Sequence, residues 1–400
     1  MITTAAATQA ILAAIQPLES ETIALEDATG RVLAESVSAE RDQPPFDRVT
    51  MDGIAIAYAE FAKGTRSFPI QSMQAAGEPA QVLEAGKAIE IMTGASLPEG
   101  ASCIVPVERI IVNELGAHVE ANYEVSERQF IHSRGSDHVA GTELLGPGTR
   151  ISPMDVAIIA SCGLPVVAVA RQATISVIST GNELVPAGEE IEPHQIRMSN
   201  GPAIVAMLED NGFANAAHDH LIDEPDLLKE RIAQHLDQSN VLVLSGGVSM
   251  GKADYVPQVL DDLGVKVAFH KVSQRPGKPM WFGLGPAGQA VFALPGNPVS
   301  ALVCSRQYVI PALRQMSGME PPAPHFASLT AAVTFKPQLT NFLSVKLISN
   351  AAGHVLAMPV HTNTSGDFAA LSGTDGYVEL ALEKAEFKSG TSVPLHRWRI

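Results

Sequence analysis

The chain has 400 residues, of which 46% are hydrophobic and 18% charged, a composition typical of a globular protein with several domains rather than of a disordered one. Acidic residues outnumber basic ones 43 to 27, and the net charge of −16 disfavours general binding to nucleic acid or to an anionic membrane surface. The three cysteines, Cys103, Cys162 and Cys304, are too few and too widely spaced for a disulfide framework or a zinc cluster, which fits a reducing compartment.

The N-terminal region shows no targeting signal. No Lys or Arg precedes Arg31, so the basic segment of a signal peptide is missing. The longest uncharged apolar stretch, 156–170, is interrupted by Gly163 and Pro165, and it is shorter than the roughly 20 residues of a membrane-spanning helix. We therefore expect a soluble, cytoplasmic protein.

The first 171 residues predict two interleaved units. Residues 5–16 predict a short helix, and strand-like sequence follows it. From 41 to 132, short apolar runs separated by Gly, Pro and Asn predict an all-β module. Residues 133–171 lead into a helix that Ser152 caps. Because this module lies between 1–40 and 133–171 in the sequence, we expect those two segments to form one discontinuous domain.

The remaining chain predicts an α/β domain followed by a β domain. From 172 to 317, the strands TISVIS, NVLVLS and AVFALP alternate with helical segments, a pattern typical of a parallel sheet covered by helices. Ligands bind such sheets beyond the carboxyl ends of the strands. From 318 to 400 the β pattern returns and predicts a small barrel-like domain. The predicted fold class is therefore multidomain α/β plus β.

Two glycine motifs in the α/β segment resemble nucleotide-binding signatures without their context. Residues 283–288 fit G-x-G-x-x-G, but a strand follows them instead of a helix, so a hairpin loop is predicted. Residues 246–252 match the start of a Walker A loop, but Ala253 lacks the hydroxyl that would hold Mg²⁺. These patterns indicate neither a dinucleotide-binding enzyme nor a P-loop NTPase.

One segment of this acidic chain carries only positive charge. Between Asp262 and Glu320 there is no Asp or Glu, yet six basic residues occur there. Chance clustering is one explanation, but several of the bases stand beside Gly-Pro loops, which favours a site for an anionic small molecule. The six are Lys266, Lys271, Arg275, Lys278, Arg306 and Arg314.

Four loops of the α/β segment offer chemistry that converges on one end of the predicted sheet. The first strand leads to Glu183, and the second to a run with three glycines and two serines, then Asp254. Glycine backbone can approach an anion closely. The third strand leads to Asn297 and Pro298, which suit the N-cap and first turn of a helix, and the loop 275–279 presents two cations.

Other candidate sites have weaker support. His218 and His220 share one face of a predicted strand and could bind a metal, although an exposed strand without a ligand is the more frequent explanation. No Cys–His or Ser–His–Asp set has local support in the sequence, so nucleophilic catalysis is not indicated.

Taken together, these strings resemble the molybdopterin molybdenumtransferase family, which includes MoeA and the E domain of gephyrin. The family usually has an aromatic residue where Ile54 stands and Asp where Asn182 stands. The matching strings occur in the family's order within about 48–301 and are TMDGIAI, IMTGASLPEG, SRGSD, STGNEL, IRMSN, LSGGVSMGKADY, RPGKP and LPGNPVSA.

The resemblance implies the last step of molybdenum cofactor synthesis: adenylated molybdopterin and molybdate give the cofactor and AMP, assisted by Mg²⁺. It also implies a homodimer with a cleft shared between two chains, and the upstream adenylyltransferase as a partner. The implied catalytic residues are Asp52, Thr93, Asp137, Glu183, Asp223 and Asp254, with Glu183 and Asp254 as metal ligands. The implied substrate-binding residues are Ser245, Gly246, Gly247, Ser249, Lys271, Arg275, Lys278, Pro295, Asn297 and Pro298.

Three alternatives remain at this point. An adenylyltransferase of the same pathway is a single domain about the size of 172–317, so the flanking domains argue against it. A non-enzymatic scaffold, as in gephyrin, would need an added partner domain or a long linker. A tungstate-handling relative cannot be separated by sequence, since the two oxyanions have nearly the same size and charge.

Overall fold

The computed structural model describes residues 1–247, 255–335 and 338–399 of the chain. Its buried hydrophobic residues form separate clusters: two on the faces of a large sheet, one inside the C-terminal strands, and others in the two N-terminal units. No helix within these ranges is both long and apolar enough to cross a membrane. The predicted multidomain α/β plus β fold is confirmed.

In the first unit, segments distant in sequence pair as antiparallel strands around a shared core. Helix α3 (Pro153–Ser161) packs against this core. The helix begins with a reciprocal capping box: the Ser152 hydroxyl accepts from the Asp155 N–H, and the Asp155 carboxylate accepts from the Ser152 N–H. The strand pairs are β1 (Ser20–Ala24) with β13 (Val166–Ala170), and β2 (Val37–Ser38) with β12 (Glu143–Leu145).

The inserted unit is a β module, as the close spacing of its turn residues predicts. It contains a four-stranded sheet in the order β6-β7-β4-β8, a three-stranded sheet in the order β5-β10-β9, and the pair β11-β3. The elements are β3 (Arg48–Val49), β4 (Gly53–Ile56), α2 (Tyr58–Ala62), β5 (Ser67–Phe68), β6 (Ile70–Gln74), β7 (Ala88–Ile91), β8 (Cys103–Pro106), β9 (Ile110–Asn113), β10 (Gly116–Val119) and β11 (Ile131–His132).

The α/β unit is built on a six-stranded sheet in the order β17-β14-β18-β22-β21-β19. Its strands are β14 (Ile175–Thr180), β17 (Ala216–Leu221), β18 (Val241–Ser245), β19 (Lys266–His270), β21 (Trp281–Leu284) and β22 (Ala290–Leu294), with the short strands β15 (Leu184–Val185), β16 (Ile196–Arg197) and β20 (Gln274–Arg275) outside it. Its helices are α4 (Asn200–Asp210), α5 (Pro225–Gln238), α6 (Val256–Asp262), α7 (Pro298–Cys304) and α8 (Ile310–Met316), with a π-helical turn at Ser305–Val309 between the last two.

Four strands of this sheet are parallel, and the last two form an antiparallel edge. Residues 285–289 alone connect β21 to β22, and a connection this short cannot make the crossover that parallel pairing needs. The hairpin predicted for 283–288 is therefore confirmed. The parallel sheet expected from the alternating pattern is extended by an antiparallel pair that the pattern did not indicate.

Helix α1 (Thr4–Ala14) packs against the α/β unit. Its side chains Ala7 and Ile11, together with Ile15 just beyond its end, are buried in the same cluster as strand residues of the sheet and residues of α8. The sequence predicts that 1–40 joins 133–171 in one domain. The structure differs for this helix, because the apolar face formed by residues four apart is covered by the sheet and α8.

The C-terminal unit is a closed five-stranded barrel, which confirms the barrel-like domain. Its strands run in the order β25-β26-β23-β29-β27, and β27 pairs with β25 to close the ring. Strand β20 of the α/β unit adds to β25 in parallel and so joins the two units. The elements are β23 (His325–Leu329), β24 (Val333–Thr334), β25 (Thr340–Ser349), β26 (Val355–Pro359), β27 (Gly376–Leu380), β28 (Glu386–Phe387) and β29 (Ser392–Arg397).

A polar network fastens helix α5 to the sheet. The Asp219 carboxylate on β17 accepts hydrogen bonds from Arg231 at 2.6 Å and His235 at 2.8 Å, and the His235 Nδ1 lies 2.9 Å from the hydroxyl of the buried Ser176. Burial raises the pKa of Asp219, but the hydrogen bonds from His235 and Arg231 outweigh it, and the pKa lies below its ordinary value of 3.8. The ionised carboxylate therefore stabilises the folded state.

Asp219→Asn should lower the free energy of unfolding near neutral pH by about 1–2 kcal/mol, because the charge-assisted acceptor is lost. A lowered pKa means that this stabilisation is lost as the pH falls through and below 3.8, so the wild type and the variant should converge there. Urea unfolding near neutral pH and at a pH below 3.8 measures the free energy of unfolding of the wild type and the variant. Asp262→Asn, which removes an exposed partner of Lys229, is the control, and equal losses in both variants would contradict the assignment.

Candidate active site at the strand ends and the adjoining cavity

The loops after three parallel strands meet at one edge of the sheet. Asn200, the first residue of α4, ties two of them together: its Nδ2 donates to the Ser245 hydroxyl at 2.9 Å and to the Gly296 carbonyl at 2.8 Å. Ser245 ends β18, and Gly296 follows β22. The convergence expected from parallel pairing is therefore held by a side chain to which the sequence analysis assigned no role.

The glycine-rich loop passes close to the end of β14. Gly246 has a φ of +106°, and a Cβ built on it would lie 2.5 Å from the Thr180 carbonyl oxygen. A side chain would both strain this backbone and collide with the neighbouring strand. Gly247 likewise leaves no room, since its Cβ would lie 2.9 Å from the Thr180 hydroxyl. The loop can approach the strand end this closely only because both residues are glycine.

Two polar atoms at this edge have no partner in the structure. The hydroxyl of Thr180 and the Oδ1 of Asn200 are buried and make no hydrogen bond with the described residues. A buried polar group without a partner costs about 1–3 kcal/mol. Both atoms are therefore suited to bind a polar ligand at the strand ends.

The acidic residues Glu183 and Asp223 stand on adjacent loops. Glu183 follows β14 and is exposed, and its backbone carbonyl accepts from the Ile196 N–H at 2.8 Å. The Asp223 N–H donates to the Asn182 side-chain oxygen at 2.9 Å. An aspartate, the residue that the family usually has in place of Asn182, would accept the same hydrogen bond. This departure from the family pattern therefore keeps the loop contact.

A cavity of about 460 Å³ lies between the α/β unit and the barrel, next to the strand ends. Arg275 and Lys278 line it from one loop, Pro295 and Asn297 from another, and barrel strand residues close the far side. We call it the substrate cavity. We call residues 275–279, which carry Arg275 and Lys278, the cationic loop. Lys271 does not line the cavity; it lies at the base of this loop, where its N–H donates to the Met280 carbonyl at 2.9 Å.

The cationic loop is held from below by a buried glutamine. Gln274 is fully buried, its Nε2 donates to the Pro276 carbonyl at 3.0 Å, and its Oε1 accepts from the Tyr308 hydroxyl. Gly277, at φ +90°, packs so tightly on Cys304 that a Cβ would overlap the sulfur. Tyr308 and Cys304 are buried in the helical segment after β22, so this segment sets the position of Arg275 and Lys278.

The proline loop, residues 295–298 after β22, borders both the strand ends and the substrate cavity. Asn297 and Pro298 occupy the N-cap and first helical position, as predicted, but the Asn297 side chain does not cap the helix. Its Nδ2 donates to the Ser365 hydroxyl at 2.7 Å, while the Ser365 carbonyl accepts from the Val299 N–H at 3.1 Å. The barrel loop that contains Ser365 therefore caps the helix through its backbone carbonyl, and the Asn297 side chain binds the same loop.

The remaining implied residues lie in other units. Asp52 accepts from the Thr93 N–H at 2.6 Å and from its hydroxyl at 2.7 Å, and these two hydrogen bonds hold the pKa of Asp52 below its usual range. Asp137 pairs with His132 at 3.0 Å. The described residues show no hydrogen bond between the Asp52–Thr93 pair and the strand-end loops.

Two implied residues, Ser249 and Asp254, lie outside the described residues. The described residues contain no group of three or more His, Cys, Asp or Glu side chains arranged to hold a metal ion. They do contain oxygen donors at the strand ends, namely the Glu183 carboxylate and the unpartnered Thr180 hydroxyl.

The structure adds residues that sequence reasoning did not single out, namely Thr180, Asn200, Gln274 and Tyr308. Thr180 and Asn200 do fall within the strings STGNEL and IRMSN, which carried the family resemblance. Gln274 directly precedes the cationic loop, but nothing in the sequence pairs it with Tyr308, 34 positions later. No sequence motif indicated the barrel residues that line the far side of the substrate cavity.

Comparison with known proteins identifies the class. Family models described as "MoeA N-terminal region (domain I and II)", "Probable molybdopterin binding domain" and "MoeA C-terminal region (domain IV)" match residues 2–163, 176–315 and 327–398. Two crystal structures of the MoeA protein of Pyrococcus horikoshii match with TM-scores of 0.85 and 0.82 and identities of 28% and 26%, over 100% and 99% of both chains. The chain is therefore a transferase of molybdenum cofactor biosynthesis with the MoeA architecture.

Curated relatives match over the full length. A molybdopterin molybdenumtransferase of Synechocystis sp. is 37% identical over 400 residues, which is 100% of both chains. Another, of Bacillus subtilis, is 30% identical over 94% of this chain and 89% of its own. The chain belongs to the molybdopterin molybdenumtransferase family, and the resemblance stated from its motifs is confirmed.

Tyr308→Phe should cost about 1–3 kcal/mol of stability, because the buried Gln274 oxygen loses its partner, and it should also weaken molybdate binding because the cationic loop loosens. Tyr377→Phe is the matched control: its hydroxyl also donates to a glutamine, Gln307, which makes no hydrogen bond to residues 275–279 among the described residues. Urea unfolding and a molybdate titration separate the two effects. Equal molybdate affinity in the two variants would contradict the positioning role of Gln274.

Proposed function

We propose that this protein inserts molybdate into adenylated molybdopterin and releases AMP, with Mg²⁺ assisting. The observation that carries the proposal is the proline loop 295–298, which touches the glycine-rich strand ends on one side and lines the cationic substrate cavity on the other. A phosphate-containing ligand at the strand ends would therefore lie beside an oxyanion in the cavity. The names of the curated relatives support this reaction.

The adenylated pterin would bind at the strand ends. Gly246 and Gly247 hold the loop tightly against the end of β14, and glycine backbone can approach a pyrophosphate closely. The Thr180 hydroxyl and the Asn200 Oδ1 would bind polar groups of the ligand, since neither has a hydrogen-bond partner among the described residues. Ser245, fixed by Asn200, would contribute its hydroxyl.

Molybdate would bind in the substrate cavity. A dianion is repelled by a body of net charge −16 except where cations are concentrated, and Arg275 and Lys278 supply that concentration. These side chains would offset the charge of molybdate and of the phosphate leaving group. Lys271, at the base of the same loop, would contribute from a greater distance.

Mg²⁺ would be held by Glu183 and, outside the described residues, by Asp254. Mg²⁺ in proteins is commonly bound by one or two carboxylates together with substrate phosphates, so the oxygen donors at the strand ends suit it. When bound, the ion would neutralise phosphate charge. The carboxylates themselves orient the phosphates only through such a cation, because alone they would repel them.

We also propose a homodimer in which the cleft is shared. The Asp52–Thr93 pair and Asp137 lie in the N-terminal units, and the family resemblance implies that these units face the α/β unit of a second chain. The partner's Asp52 would then complete the site at the strand ends. We further propose a cytoplasmic enzyme that receives its adenylated substrate from the upstream adenylyltransferase.

The direct test is anaerobic incubation of the purified protein with adenylated molybdopterin, molybdate and Mg²⁺, followed by measurement of AMP and of active cofactor. Glu183→Gln should retain the pterin but release AMP slowly, whereas Lys278→Ala should lower molybdate affinity about tenfold. Lys266→Ala, on the antiparallel edge strand of the same acid-free segment, is the charge-matched control. Normal AMP release by Glu183→Gln would refute the metal assignment, and formation of adenylated molybdopterin and pyrophosphate from molybdopterin and ATP would instead indicate an adenylyltransferase.

Mixing two inactive variants tests the shared cleft. Asp52→Asn and Lys278→Ala, if each inactivates its own homodimer, should regain about a quarter of wild-type activity after subunit exchange, because half the dimers are mixed and each mixed dimer has one intact composite site. Sedimentation velocity checks the dimer itself. A dimer that regains no activity on mixing would place Asp52 and Lys278 in the same subunit's site.

A further inference from the structure

A second cavity, of about 430 Å³, lies between helices α1 and α8, the linker that follows α8, and strand β29 of the barrel. Among the described residues that line it there is no Asp or Glu, and it shares no lining residue with the substrate cavity. Six basic residues line it; Arg399 and His396 pair with carboxylates outside the lining, Asp210 and Glu379, and the other four form no ion pair among the described residues. We call it the arginine cavity, after its basic residues Arg306, Arg314, Arg397, Arg399, His325 and His396.

The two inner arginines have no carboxylate partner among the described residues. Arg306 is 7% exposed, and its Nε donates to the backbone carbonyl of Arg397. Arg314 donates to the Glu320 carbonyl at 3.2 Å, and its Nε is buried and has no hydrogen-bond partner among the described residues. Within the described residues neither guanidinium forms an ion pair, so both charges are opposed only by neutral carbonyl oxygens.

The positive charges also act on one another. Burial lowers the pKa of Arg314, and the charges of Arg150 and Arg306 lower it further. Burial lowers the pKa of Arg306 as well. Arginine nonetheless keeps its charge in proteins, so the fold holds like charges together at a cost in free energy. An anion between them would offset that cost.

The remaining walls of the arginine cavity are apolar and stiff. Leu12 of α1, Met319 of the linker and Leu395 of β29 contribute aliphatic surface. Prolines make up much of the rest, and they lose little conformational freedom when a ligand binds. These are Pro311, Pro321, Pro322, Pro324 and Pro394. The volume falls within the range of small-molecule sites.

We propose that the arginine cavity binds a small organic anion, with its carboxylate or phosphate group against Arg306 and Arg314 and its apolar body against the proline wall. The inference does not depend on the proposed reaction. The acid-free segment seen in the sequence therefore serves two sites: Arg275 and Lys278 face the substrate cavity, and Arg306 and Arg314 face this one.

Fluorine NMR titration of the full-length protein tests the proposal without any variant. The probes are para-fluorobenzoate, para-fluorophenyl phosphate and the neutral isostere para-fluorobenzamide. At least one anionic probe should bind saturably, about tenfold or more tightly than the amide, because only the anions can use the guanidinium charges. The better anionic probe identifies the preferred headgroup. Equal binding of the amide, or no saturable binding of either anion, would overturn the proposal.

Two variants then locate the bound anion. Arg314→Gln should weaken the better probe about tenfold, whereas Lys278→Gln, which removes a cation from the substrate cavity, should leave its affinity within about twofold. Thermal unfolding checks that both variants fold. Unchanged binding by Arg314→Gln, or loss of binding in Lys278→Gln, would place the anion elsewhere. If Arg314→Gln does not fold, Arg314→Met, whose apolar side chain suits a buried position, replaces it under the same criteria.

Discussion

Parallel pairing of neighbouring strands is the constraint on which the site depends. Strands β14, β18 and β22 hydrogen-bond in register, so the loops that follow them leave the sheet at one edge, about one strand spacing apart. At that spacing, Gly246 has room beside Thr180 only without a side chain, and Asn200 can reach two loops at once. The polar groups of the site are held by backbone geometry that the sheet imposes before any ligand binds.

Docking of the barrel on the α/β unit makes the second half of the site. The short pairing of β20 with β25 brings the barrel against the loop that carries Arg275 and Lys278, and Ser365 takes over the capping of α7. The substrate cavity exists only because these two units meet. A change in this interface would therefore alter the placement of the cations without touching them.

Charge is distributed unevenly for a physical reason. A strongly acidic surface repels anions, whereas basic side chains line two cavities that share no residue. The helical segment from α7 to α8 supports both of them: Tyr308 fastens the loop beside the substrate cavity, and Arg306 and Arg314 project into the arginine cavity. One continuous stretch of chain, from α7 to α8, thus supports both the substrate cavity and the arginine cavity, whose basic residues differ in charge from the acidic surface.

The sequence by itself determined the family, the order of the elements and the strand-end loops, because hydrophobic periodicity, capping residues such as Ser152 and glycine-rich turns are local properties. It also showed the acid-free segment. Only the tertiary structure decided that α1 packs on the sheet, that Asn297 binds Ser365 instead of capping its helix, that Gln274 meets Tyr308, and that four of the six basic residues divide between two cavities. These outcomes depend on contacts between residues far apart in the chain, for which local pattern carries no information.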